Sequence, residues 1–102
     1  MEIRNFTKDI DKFLDNLEKI TRSKVSKILH MLIMIGSEIE MPYSKSLGVG
    51  LFELRISGKI PIRIIYCFHE NCAVLLHIFI KKQDQIPKRE LNLAKRRYEM
   101  LL

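Results

Sequence analysis

At Gly50 the spacing of apolar residues changes from helical to alternating, and this switch restricts the chain to a fold that mixes helices with a sheet. Before it, Phe6, Ile10, Phe13, Leu14, Leu17 and Ile20 recur at helical spacing, and Val25, Ile28, Leu29, Leu32 and Ile35 repeat the pattern. Thr7 suits the N-cap of the first helix, and Thr21 or Ser23 that of the second. Gly36 suits its end, where a left-handed residue closes the last turn. The pair predicts an αα-hairpin with a very short connection. Charges on its outer face are expected to alternate in sign, as on a solvated surface. Residues 37–50, with Pro42, Gly48 and Gly50, read as a loop.

Three runs with a period of two follow: Leu51–Ser57, Ile62–Phe68 and Ala73–Ile80. Even positions are apolar: Phe52, Leu54 and Ile56, then Ile62, Ile64, Tyr66 and Phe68, then Val74, Leu76, Ile78 and Ile80. Arg55, Arg63, His77 and Lys81 are odd, so they share the other side of the sheet with Leu75 and Phe79. Pairing even with even in the first hairpin sets Arg55 opposite Arg63. Opposed like charges cost roughly 0.2–1 kcal/mol unless compensated, by Glu53 or by a bound phosphate. A last helix begins near Ile86 or Pro87, with Leu91, Ala94, Tyr98 and Leu101 inward and Lys88, Arg89, Lys95, Arg96 and Arg97 exposed.

A chain of 102 residues supports one domain with a modest core. Its formal charge of +6 is one-sided: residues 1–40 hold seven basic and seven acidic side chains, residues 41–102 eleven against five. Such an excess points to a polyanionic partner. No apolar run spans a bilayer and no signal-like segment opens the chain, so the cytoplasm is the expected compartment and no membrane partner is expected. Cys67 and Cys72 are expected as reduced thiols. No phosphate-binding glycine loop, nucleophile elbow or His-x-x-x-His pair occurs, and neither a metal nor a cofactor is expected.

What remains is a set of cations with one histidine. That set suits metal-independent RNA cleavage, in which a 2′-hydroxyl attacks the adjacent phosphorus while cations stabilise the non-bridging oxygens. Arginine fits the second task because its planar donors grip phosphate in pairs. Lysine or histidine fits the proton transfers. His77, within an otherwise apolar strand, reads more readily as a satisfied semi-buried residue than as a catalyst. Parity favours Lys81 over Lys82 for the arginine side.

The runs GLFELRI, IRIIY and LLHIFIKK, followed by Pro87 and the basic stretch LNLAKRRYEMLL, resemble the RelE/ParE toxin superfamily. The likeness is to its phage-derived Gp49-like, HigB-type branch, through Leu47-x-x-Gly50-Leu51-x-Glu53-Leu54-Arg55 together with Lys81-Lys82 and Pro87. The resemblance implies an α+β fold: an N-terminal αα-hairpin packed on a small curved antiparallel sheet of three to four strands, with a C-terminal helix. The N-terminal strand usual in that family is expected to be nearly absent, because helical spacing begins by Phe6. The implied function is the toxin of a type II toxin–antitoxin system, a ribosome-dependent mRNA endoribonuclease. The alternative is a non-nuclease toxin of the same fold that poisons DNA gyrase.

By position, the resemblance implies that Arg55 and Arg63 hold the scissile phosphate, with Lys81 or Lys82 as a further phosphate contact or proton donor. His77 stands as a fallback catalytic candidate, since QDQIP after Lys82 carries no tyrosine or histidine. Lys45, Lys59, Lys88 and Arg89 are the candidate RNA-binding cations. The implied partners are a cognate antitoxin of helix-turn-helix type, the ribosome and mRNA, with operator DNA bound only through the antitoxin complex.

Overall fold

A computed structural model describes all residues, Met1–Leu102. In chain order the elements are β1 (Glu2–Asn5), α1 (Lys8–Asp15), α2 (Lys19–Ile35), a 3₁₀ turn (Gly36–Glu38), β2 (Ser44–Gly48), β3 (Leu51–Ile56), β4 (Ile62–His69), β5 (Cys72–Ile80) and α3 (Lys88–Leu101). The strands form one five-stranded sheet in the order β1-β5-β4-β3-β2. β1 runs parallel to β5, and the other pairs are antiparallel. The α+β class holds, but the sheet is mixed and has five strands, not three to four antiparallel ones.

Both additional strands lie where the sequence carries weak signals. β1 contains only Glu2, Ile3, Arg4 and Asn5, yet it pairs along Cys72–Leu75, and Phe6 N–H continues the ladder to Leu75 O at 2.9 Å. The N-terminal strand is therefore present. β2, SKSLG, occupies part of the expected loop and is an edge strand whose Lys45 and Ser46 face water. Ser44 is its buried anchor, with its hydroxyl 2.6 Å from that of Tyr66. Burial raises the Tyr66 pKa, and the Ser44 bond opposes that shift.

The hairpin differs in detail from its helical pattern. Glu18 caps α2, accepting from the Thr21 backbone at 2.8 Å and the Thr21 hydroxyl at 2.7 Å. These bonds lower the Glu18 pKa. Neither Thr21 nor Ser23 is the cap. Thr7 does occupy the α1 N-cap, but its hydroxyl bonds the Asp9 carboxylate and not a backbone N–H. Gly36 ends α2 as expected, but at φ 55° and ψ −126°, a conformation open to glycine that lies outside the left-handed helical region. Ile20 and Ile35, placed in the buried stripes by spacing, are exposed. Alternating charge is found on α1 alone: from Lys19 to Ile35, α2 carries Lys19, Arg22, Lys24 and Lys27 without an acid.

Parity holds in the first hairpin and fails in part of β5. Arg55 stands opposite Arg63, Leu54 opposite Ile64 and Phe52 opposite Tyr66. A bulge at Leu76 then shifts β5 against β4, so that Ile65 faces His77 but Tyr66 faces Leu75. Residues before the bulge are inverted. Ala73 and Leu75 join Tyr66 and Ile64 under the α1–α2 hairpin, while Val74 and Leu76 join Cys67 and Ile65 under α3. Beyond the bulge the expected faces return, with Ile78 on the hairpin side and Phe79 on the α3 side. Ile80 is exposed.

The sheet is thus apolar on both faces. α3 covers the second with Ala94, Leu91, Tyr98 and Leu101, as its spacing predicts. Gly50, at φ 86°, passes under Tyr98 so closely that a Cβ would collide with the hydroxyl. Cys67 and Cys72 are free thiols, and burial pushes the Cys67 pKa up to about 11.

Arg97, expected on the exposed face of α3, is instead turned inward. Its Nη1 donates to Leu76 O at 2.7 Å, the carbonyl at the bulge. Its Nη2 lies 3.5 Å from the Asp9 carboxylate, and the guanidinium sits 5.7 Å from the Phe6 ring centre. A charged donor thus joins α3, β5 and α1. Arg97→Met should lower unfolding stability by about 2 kcal/mol in urea titration, whereas Arg96→Met should change it by less than about 0.5 kcal/mol. Equal effects would show that the inward bonds of Arg97 carry no special weight.

Candidate active site

The α3 side of the sheet is polar at the end formed by the start of β4 and the finish of β3. Across this face the register places Lys45, Glu53, Ile65 and His77 in one row and Arg55, Arg63 and Phe79 in the next. One pleat further, Lys81 N–H bonds Pro61 O at 2.9 Å, which extends the β4–β5 ladder and puts Lys81 on the same side. Lys45, Arg55, Arg63 and Lys81 therefore share one face.

Glu53 organises the two arginines. Its side chain is only 6% exposed, with Oε1 2.9 Å from Arg55 Nε and Oε2 3.8 Å from Arg63 Nε. The cost of opposing Arg55 and Arg63 is offset by a carboxylate shared between them. Arg63 also donates from Nη1 to Ile62 O at 3.1 Å. Burial lowers its pKa, with Glu53 opposing that shift and Arg55 adding to it, and a guanidinium so placed still keeps its proton. Arg55 is the reachable member: its side chain is 28% exposed against 11% for Arg63.

Arg55 extends past the end of β2, where Nη1 lies 3.8 Å from Met41 Sδ. It lines a cavity of about 210 Å³ with Lys24, Lys27, Met31 and Tyr43. Spacing along the strands carried no sign of this neighbourhood, because it is made by α2 and the 41–43 turn. Glu53 was legible as a partial compensator from its place two residues before Arg55. Its near-complete burial between both guanidinium groups was not.

The other candidates are dispersed. His77 lies under the first turn of α3, with Nε2 3.2 Å from Glu90 Oε1 and Nδ1 buried without a partner. Its ring stacks on Phe79 at 5.7 Å. Lys82 and Arg89 line a separate hollow with Phe13, Phe79 and Glu90. Lys88 is exposed at the start of α3. Lys59, in the β3–β4 turn, faces a hollow shared with Glu18, Thr21 and Lys24. No three His, Cys, Asp or Glu side chains converge as metal ligands would. No helix is long and apolar enough to cross a membrane.

Chemically, the Arg55–Glu53–Arg63 group is a fixed cationic centre with a net charge of one. Neither Nη2 carries a protein hydrogen bond, so both arginines retain donors for an anion. A family model described as phage derived protein Gp49-like matches residues 12–99. No curated protein matches the chain significantly.

Glu53→Gln should remove the shared charge and lower unfolding stability by roughly 3 kcal/mol. The penalty should shrink in an Arg63→Met background, where one buried charge has already gone. Identical penalties in the two backgrounds, read from a double-mutant cycle, would show that Glu53 and Arg63 are uncoupled.

Proposed function

The chain belongs to the phage-derived Gp49-like family of RelE/HigB-type toxins, and we propose that it is the toxin of a toxin–antitoxin pair that cleaves mRNA on the ribosome. The observation that carries this reading is the cross-strand pair Arg55–Arg63 held by Glu53 on the polar end of the sheet. Two opposed arginines that keep Nη2 donors free of protein partners suit the non-bridging oxygens of a phosphodiester.

In the proposed reaction the ribose 2′-hydroxyl gives up its proton to water as its oxygen attacks the adjacent phosphorus. The P–O5′ bond breaks, leaving a 2′,3′-cyclic phosphate and a 5′-hydroxyl. Arg55 grips the non-bridging oxygens directly, and Arg63, lying deeper, adds its charge from beneath. Such preorganised donors act on the charge that grows in the transition state. Lys81, on the same face, is assigned the leaving-oxygen end, with Lys82 as its alternate. His77 is assigned a supporting role: its bond to Glu90 fixes the start of α3 beside Phe79.

Lys45, opposite Glu53, is placed to meet a neighbouring phosphate, and Lys88 and Arg89 offer a second contact region for ribosomal RNA. The partner proposed for the resting cell is an antitoxin that masks this chemistry. Operator DNA would be reached through that antitoxin.

Arg55→Ala should reduce cleavage by about 10²–10³-fold and relieve growth arrest while the circular dichroism spectrum is retained. Arg63→Lys, which keeps the charge but loses the fork, should reduce it less. Mapping of mRNA 5′ ends after induction checks both. Undiminished cutting by Arg55→Ala would remove Arg55 from the mechanism. Inhibited DNA supercoiling with intact transcripts would replace the nuclease reading with a gyrase poison.

A further inference from the structure

α2 presents a second cationic surface, remote from the sheet face in sequence but joined to Arg55 in space. Lys19, Arg22, Lys24 and Lys27 are all exposed, and none makes an ion pair with a carboxylate. Lys24 and Lys27 lie one turn apart on one edge of the helix. Like charges at that spacing repel, and neither lysine has a carboxylate at ion-pair distance.

Three hollows open along this edge, and Lys24 lines all of them. The first also holds Lys19 and Lys27, the second Lys59 and Glu18, the third Lys27, Tyr43 and Arg55. Lys24 Nζ sits so near Gly58 that a Cβ there would come within 2.8 Å of it, so the lysine leans over the β3–β4 turn towards Lys59. Glu18 is the single acid in the series, and its carboxylate is held by Thr21. The cations thus run from α2 and the β3–β4 turn to Arg55, with the Glu18 carboxylate, which also acts on Lys59, as the one negative charge lining the three hollows.

We propose that this edge of α2, with Lys59 and Tyr43, is a track for the phosphate backbone of single-stranded RNA leading to or from Arg55. The proposal rests on the reading of Arg55 as a phosphate ligand. Charge complementarity alone also fits an acidic peptide. Tyr43 favours RNA: it is 40% exposed and lines the same cavity as Lys24, Lys27 and Arg55. A basic groove with an aromatic face beside it suits a strand whose bases can stack while its phosphates are neutralised.

The test is the salt dependence of binding to a fluorescent 2′-O-methyl RNA 12-mer, which cannot be cleaved through its 2′-oxygen. Lys24→Ala/Lys27→Ala should weaken binding at least about tenfold near 0.1 M salt. It should also reduce the slope of log K against log salt by roughly 1.4, at about 0.7 per phosphate contact. Tyr43→Leu should weaken binding without changing the slope. Lys95→Ala/Arg96→Ala, which removes equal charge from α3, should leave the slope unchanged.

An unchanged slope in the α2 variant, or an equal loss in the α3 variant, would overturn the track. If a polyglutamate 12-mer loses affinity for the α2 variant while RNA does not, the surface belongs to an acidic protein and the RNA assignment fails. Binding is measured without turnover, so the two ideas fail separately. An α2-dependent slope in a protein that makes no cuts in cells would sink the nuclease alone. Cuts that need Arg55 but not the α2 lysines would sink the track alone.

Discussion

The central strands are apolar on both faces, and the rest of the structure answers to that. Ile64 and Ile65, Tyr66 and Cys67, and Leu75 and Leu76 are adjacent pairs that point to opposite sides, and each of the six is fully buried. Strands of this kind need cover above and below. The α1–α2 hairpin covers one side. The other is left to α3, whose apolar stripe serves Ile65, Cys67, Val74 and Leu76 and whose first turn reaches His77. Arg55, Glu53 and Arg63 lie at the end that this stripe leaves. The polar face is therefore the remainder of a covering problem, and its position follows from the reach of one helix.

That geometry explains which parts were legible in the sequence. The Arg55–Arg63 pairing followed from parity because β3 and β4 pair without a bulge, so even residues stay opposite even ones along the whole hairpin. The bulge left no such mark, since Leu75 and Leu76 are both apolar and exchanging their faces changes nothing in the pattern. β1 and β2 escaped because edge strands need little apolar content: β1 adds one partly buried isoleucine, and β2 is held largely by its ladder and by Ser44. Ile20 and Ile35 satisfy a helical spacing yet face water, because α1 ends at Asp15 and, at the two ends of α2, Thr21 and Leu32 are the residues turned inward. The cavity joining Arg55 to α2 is tertiary in origin, and no local pattern encodes it.

Glu53 sets a compromise in the electrostatics of the face. A carboxylate between two guanidinium groups lowers the local positive potential, which weakens long-range attraction for a polyanion. In exchange, the Arg55 fork is held by a short bond before any ligand arrives, so less ordering is left for the moment of binding. Attraction at a distance then falls to the surrounding lysines, which are flexible and unpaired. Under the proposed function, capture and positioning would thus fall to different residue types.

Arg97 reaches Leu76 and Asp9, residues separated from it by 21 and 88 positions, and β1 finds its place in the sheet only against Cys72–Leu75. During synthesis the first strand therefore waits for most of the chain, and the clamp closes only when α3 has emerged. The Arg55–Glu53–Arg63 pairing is local to β3 and β4 and needs neither β1 nor α3, so the polar end of the sheet is set before α3 is locked in place.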